Sequence, residues 1–135
     1  MVGLGLGLVL VGAAGCSGSD TDGATRYCDV VKQVQAGVDP LADQSIYADP
    51  AGLKDALIVR VKTYTDLAAR APDEVKADAA TLRDGVIRVN NALSAADYRS
   101  AAANTDPAVQ AVLGDAAFQA AAARLAGYNA DYCSD

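Results

Sequence analysis

Between Pro72 and Leu93, apolar residues recur at Val75, Ala79, Leu82, Val86, Val89 and Leu93, at spacings of 4, 3, 4, 3 and 4. That rhythm puts all six on one face of an α-helix, and a helix with such a stripe must bury it against another element. No segment of the chain alternates apolar and polar residues over strand length between turns, so the partners are helices as well. Pro72 suits a first helical position, where its missing N–H has no partner to lose. Asp73 and Glu74 then place negative charge in the first turn, where the helix dipole favours it. Gly85 lies inside the helix at a cost of about 1 kcal/mol relative to Ala. A close approach of another helix would offset that cost.

The preceding segment starts at Asp49-Pro50, an N-cap followed by a proline at the first helical position. Leu53, Leu57, Val61, Tyr64 and Ala68 follow at spacings of 4, 4, 3 and 4, with Arg60, Lys62 and Asp66 read as largely off the stripe. The helix should stop near Ala71, because the residue before a proline is pushed out of the helical region. A shorter first helix, capped by Thr25, carries Tyr27, Val30, Val31 and Val34 on its apolar side before Gly37. Residues 38–47 read as a loop. Residues 95–103 read as a short helical connection, broken and re-capped by Asn104-Thr-Asp-Pro107. Phe118, Ala121, Leu125, Tyr128 and Tyr132 mark the inner face of the last helix. The expected helices are therefore about 25–37, 50–70, 72–93 and 107–132.

The amino-terminal run is uncharged and apolar, and ends in Ala13-Ala14-Gly15-Cys16. It falls short of the ~20 residues that a membrane-spanning helix needs, and its small-residue ending has the shape of a signal peptide with its cleavage site. Ala13-Ala14-Gly15-Cys16 resembles the bacterial lipobox. The resemblance implies a signal peptide over 1–15, cleavage before Cys16, and acylation of that cysteine. The lipobox favours Leu where this chain has Ala13, and secretory signals carry Lys or Arg ahead of the apolar run. This chain has none there, so we read its first residue as lying downstream of the true start. Ser17-Gly-Ser-Asp-Thr-Asp-Gly23 is polar and flexible by composition, and residues 16–24 are expected to be a lipidated tether. Acyl chains contribute about 0.8 kcal/mol per buried methylene, enough for two or more of them to hold a protein on a membrane. The expected location is the outer, extracytoplasmic face of a cell membrane.

If Cys16 carries lipid, Cys28 and Cys133 remain, and an exported chain with two remaining cysteines most simply bridges them. The loop so closed would contribute about 4.7 kcal/mol in the chain-entropy model. In an up-and-down arrangement the start of the first helix meets the end of the last only when the number of full-length helices is even. The expected fold is therefore all-α, an antiparallel up-and-down four-helix bundle over residues 25–135, its first and last helices joined by a disulfide. The lipobox, the tether, the early cysteine and the terminal Tyr128-x-x-x-Tyr132-Cys133 together look like small actinobacterial helical envelope lipoproteins, a group that implies little about mechanism.

Chemistry is sparse. The chain has no histidine, which removes the commonest general base, the commonest metal ligand and every Ser-His or Cys-His pair. Its only glutamate is Glu74, so the Glu-x-x-His di-iron pattern cannot form. Neither zinc-ligand spacing, nor an EF-hand, nor a phosphate-binding glycine loop occurs. The formal net charge of −6 argues against nucleic acid and against an electrostatic grip on anionic lipid. We therefore expect no cofactor, no metal and no enzymatic activity. Asp55, Asp66, Asp78 and Asp84 read as solvated helix faces, and Asp20 and Asp22 as linker charge. Two roles stay open. One is a scaffold for another envelope protein, weakly favoured because Ala-rich helix faces leave little room for a cavity. The other is a carrier that holds an apolar ligand or envelope lipid between helices. Tyr64, Tyr128 and Tyr132 could line a groove for such a ligand, although packing in the core explains them more simply.

Overall fold

The computed structural model describes residues 18–36 and 44–134, which form six α-helices and one 3-10 helix and, among the described residues, no strand. The helices are α1 (Gly18–Ala36), α2 (Pro50–Arg70), α3 (Lys76–Ala95), α4 (Ser100–Thr105), α5 (Pro107–Leu113) and α6 (Ala116–Tyr132), with the 3-10 helix at Gln44–Ala48 between α1 and α2. No described helix is long and apolar enough to cross a membrane.

α2 has the expected ends. The Asp49 carboxylate accepts from the Ala51 N–H at 3.0 Å, Pro50 opens the helix, and Ala71 is extended (ψ 131°) ahead of Pro72.

The other helices depart from expectation. α1 begins at Gly18 rather than Thr25, so the segment read as a flexible tether is helical from Gly18 on, and Cys28 lies mid-helix rather than in the first turn. α3 begins at Lys76, not Pro72: the Val75 N–H donates to the Pro72 carbonyl at 3.0 Å, closing a turn that buries Val75 at the foot of α2. At its other end α3 absorbs Ser94 and Ala95. Asp97 and Tyr98 then reverse the chain in the left-handed region (φ 54° and 53°), and the shortened connecting helix starts at Ser100. The half-buried Tyr98 donates from its hydroxyl to Asn90 Oδ1 at 3.3 Å.

The last expected helix is two helices. Gly114 and Asp115 interrupt it, Asp115 accepts from the Ala117 N–H at 2.8 Å, and the Gln119 amide donates to the Leu113 carbonyl at 2.7 Å, capturing an acceptor that the break exposes. Asp106 caps α5 through the Ala108 and Val109 N–H groups at 2.8 and 3.3 Å, with Pro107 behind it.

α1 packs on α2, α2 on α3, α3 on both α5 and α6, and α6 on α1, whereas α2 does not pack extensively on α5 or α6. Gly85 of α3 is buried under the Phe118 ring, which occupies the space that a β-carbon would need. This is the close approach that its position implied. Arg124 of α6 grips Asp78 of α3, Nε donating to the two carboxylate oxygens at 3.1 and 3.0 Å. Asp78 is thus paired across two helices instead of solvated, and the guanidinium holds its carboxyl below the usual range.

The core is divided. One cluster joins Tyr27, Val30 and Val31 of α1 to Leu67 and Ala68 of α2, Ala79 and Leu82 of α3, and Ala121 and Leu125 of α6. A second, smaller cluster gathers Leu53, Leu57, Leu93 and Val109 at the opposite end of α2. Among the described residues no charged side chain is buried, and the one buried hydroxyl is that of Tyr27.

Candidate functional site

Between the two clusters lies a groove of about 880 Å³. α2 supplies Leu53, Leu57, Arg60 and Tyr64; α3 supplies Val86, Val89 and Leu93. Facing them are Ala103 and Asn104 of α4, Val109 and Leu113 of α5, and Phe118 and Ala122 of α6, with Tyr47 of the 3-10 helix at one end. Among the described residues, α1 covers only part of the gap between α2 and α6. The buried contacts of α1 reach Leu67, Ala68 and Ala71, and beyond them α2 faces α5 and the start of α6 without touching them extensively. The break at Gly114-Asp115 shapes the opposite wall by letting α5 and α6 run separately.

Most of the lining is aliphatic or aromatic. Among the described residues that line it, Arg60 is the one charged residue and Tyr47, Tyr64 and Asn104 are the other polar ones. The half-buried Arg60 carries its guanidinium carbon 6.0 Å from the centre of the Tyr64 ring, at the edge of cation–π range. Among the described residues no three His, Cys, Asp or Glu residues gather in a way that could hold a metal ion.

The residues singled out from sequence fall in three places. Cys28 and Cys133 form a disulfide with their Cα atoms 5.1 Å apart, at the end of the molecule where α1 crosses α6. Cys16 lies outside the described residues. Of the three tyrosines, Tyr64 lines the groove, while Tyr128 and Tyr132 stack at 4.5 Å beside the disulfide. Tyr132 is 69 % exposed and so does not belong to the inner face of the last helix. Next to them Tyr27 is fully buried, meets Tyr128 edge-on at 6.0 Å, and donates to Asn129 Oδ1 at 2.7 Å. Burial pushes the Tyr27 hydroxyl up to about 12. Burial also raises Tyr128, and the nearby Glu74 charge raises it further.

Arg60 is the residue that sequence reasoning misplaced. Leu53, Leu57, Arg60 and Tyr64 are spaced 4, 3 and 4, an uninterrupted stripe, and its third place had been given to Val61 because Val61 is apolar. Phe118 and Val89 were legible as inner-face residues, but not as walls of an opening. No family model, curated protein or solved structure matches the chain.

Proposed function

We propose that this chain is a membrane-anchored, extracytoplasmic, non-enzymatic protein that holds an apolar ligand between its helices. The groove carries the proposal. All four buried residues of the smaller cluster line an apolar opening of about 880 Å³, within the ~300–1,000 Å³ of small-molecule sites. That opening favours a carrier over the scaffold role, which small helix-face residues alone had suggested. The described lining residues include no carboxylate and no nucleophile–base pair, which fits holding a ligand better than transforming it.

The anchor in this reading is an acyl group on Cys16, after removal of residues 1–15. Its support is the Ala13-Ala14-Gly15-Cys16 sequence. Replacing Cys16 by Ser should move the protein from the membrane to the soluble fraction; a variant that stays membrane-bound argues against the anchor. The architecture in this reading is an antiparallel four-helix bundle whose fourth member is the broken pair α5–α6. The cycle of packing from α1 through α2 and α3 to α6 and back to α1 supports it, as does the bond between Cys28 and Cys133.

The test of the carrier role is gentle extraction of the full chain from its native membrane, followed by native mass spectrometry. An apolar molecule should accompany the protein and be lost from Ala122→Trp, which fills the groove from α6. Wild-type protein that carries no such molecule would count against a carrier.

A further inference from the structure

We infer that Phe118, seated on Gly85, is the floor of the groove and sets the length of apolar chain that the groove accepts. This inference rests on the carrier reading above and specifies the shape of its cargo. The lining extends along α2 from Leu53 to Tyr64, eleven residues or about 16 Å at 1.5 Å per residue, a run that suits an extended hydrocarbon chain. Tyr64, Phe118 and Ala122 line the groove and also pack against the larger core cluster. One turn deeper, Leu67 and Ala68 of α2, Leu82 of α3 and Leu125 of α6 are buried in that cluster and do not line the groove. The groove therefore ends at Tyr64, Phe118 and Ala122, and Phe118 is the one whose place is set by a missing side chain.

Gly85 fixes where that floor lies. A β-carbon on Gly85 would stand 2.3 Å from Phe118 Cε2 and 2.4 Å from Cδ2, whereas ordinary contact starts near 3.4 Å. The ring thus lies in a recess that only glycine leaves, against the backbone of α3. With a methyl group at position 85 the ring has to give way by about 1 Å, the difference between 3.4 and 2.3 Å. Val112, the next side chain at that point, is buried, and the larger cluster is packed behind the ring, so the ring yields toward the open space that it lines. Gly85 does not itself line the groove; it is a positioning residue that acts through Phe118.

The experiment presents the full chain with linear saturated alcohols from decanol to eicosanol in phosphatidylcholine vesicles, and counts those kept after gentle extraction by native mass spectrometry. Their uncharged heads are alike, so length alone varies. Each methylene kept out of apolar contact weakens binding about fourfold. Wild type should show an upper length limit. Phe118→Ala should retain alcohols beyond that limit about tenfold better, and Gly85→Ala should retain the longest wild-type alcohols about fourfold less while leaving shorter ones unchanged. Adding Gly85→Ala to Phe118→Ala should change nothing, because no ring remains to displace; a general loss of packing would lower retention in both backgrounds. Circular dichroism melts establish that each variant is folded, and Phe118→Leu replaces Phe118→Ala, with a smaller shift in the same direction, where the alanine variant unfolds. A wild type without a length limit, a limit unmoved by substitution of Phe118, or a Gly85→Ala effect that persists without the ring overturns the floor while leaving the carrier reading standing. Wild type that retains no alcohol of any length overturns the two together.

Discussion

Tyr27 shows how one buried residue can set a pH limit on the fold. Its hydroxyl is fully buried, bonded to Asn129, and pushed from an ordinary value near 10 up to about 12. The folded state therefore favours the protonated phenol. Its contribution is complete below pH ~10 and is lost as pH rises toward 12; a displacement of this size corresponds to about 3 kcal/mol. Tyr128, raised in the same direction, adds to the slope. Urea unfolding between pH 8 and 11.5 should show stability falling above pH 10. Tyr27→Phe should be less stable at neutral pH by about 1–2 kcal/mol, because the Asn129 acceptor loses its donor, and should show a flatter alkaline decline. Tyr27 was legible in the sequence as an apolar-side residue of the first helix. Its pairing with Asn129 was not, since the two are 102 residues apart and only tertiary packing brings them together.

Among the elements, the interruption between α5 and α6 matters most for the groove. Asp115 holds α6 at its start by accepting from the Ala117 N–H, and removing such a cap costs about 1 kcal/mol. Asp115→Ala should lower stability by that amount in chemical denaturation. Amide exchange should quicken at Ala117 and Phe118 and stay unchanged at Leu125. The helices with paired punctuation were readable in advance: Asp49-Pro50 and Ala71-Pro72 delimit α2, and Asp106-Pro107 opens α5. Gly114-Asp115 carries no proline and sits within alanine-rich sequence of strong helical preference, so the break was hidden. The start of α3 was misread for the opposite reason. Pro72, Asp73 and Glu74 have all the chemistry of a helix start, but they close a turn onto the buried Val75. The groove itself was illegible, because its walls come from α2, α3, α4, α5 and α6 together, which no local pattern encodes.

In the molecule as a whole, the bond between Cys28 and Cys133 closes a loop spanning a sequence separation of 105 residues. For a loop of that order the chain-entropy model gives about 4.7 kcal/mol, a large share of the ~5–15 kcal/mol net stability of a typical domain. Cys28→Ser should lower the melting temperature markedly under oxidising conditions and leave it equal to that of reduced wild type; a variant that melts like oxidised wild type would deny the bridge a structural role. The position of the bond has a mechanical consequence. Along α1, Tyr27 is the first residue described as buried, and it lies one residue before Cys28, so the helix is fastened there both by the core and by the covalent bond to the end of α6. A pull on the amino end of α1 is therefore divided, from Cys28 on, between the sulfur bridge to Cys133 and the packing of Tyr27, Val30 and Val31 on α2.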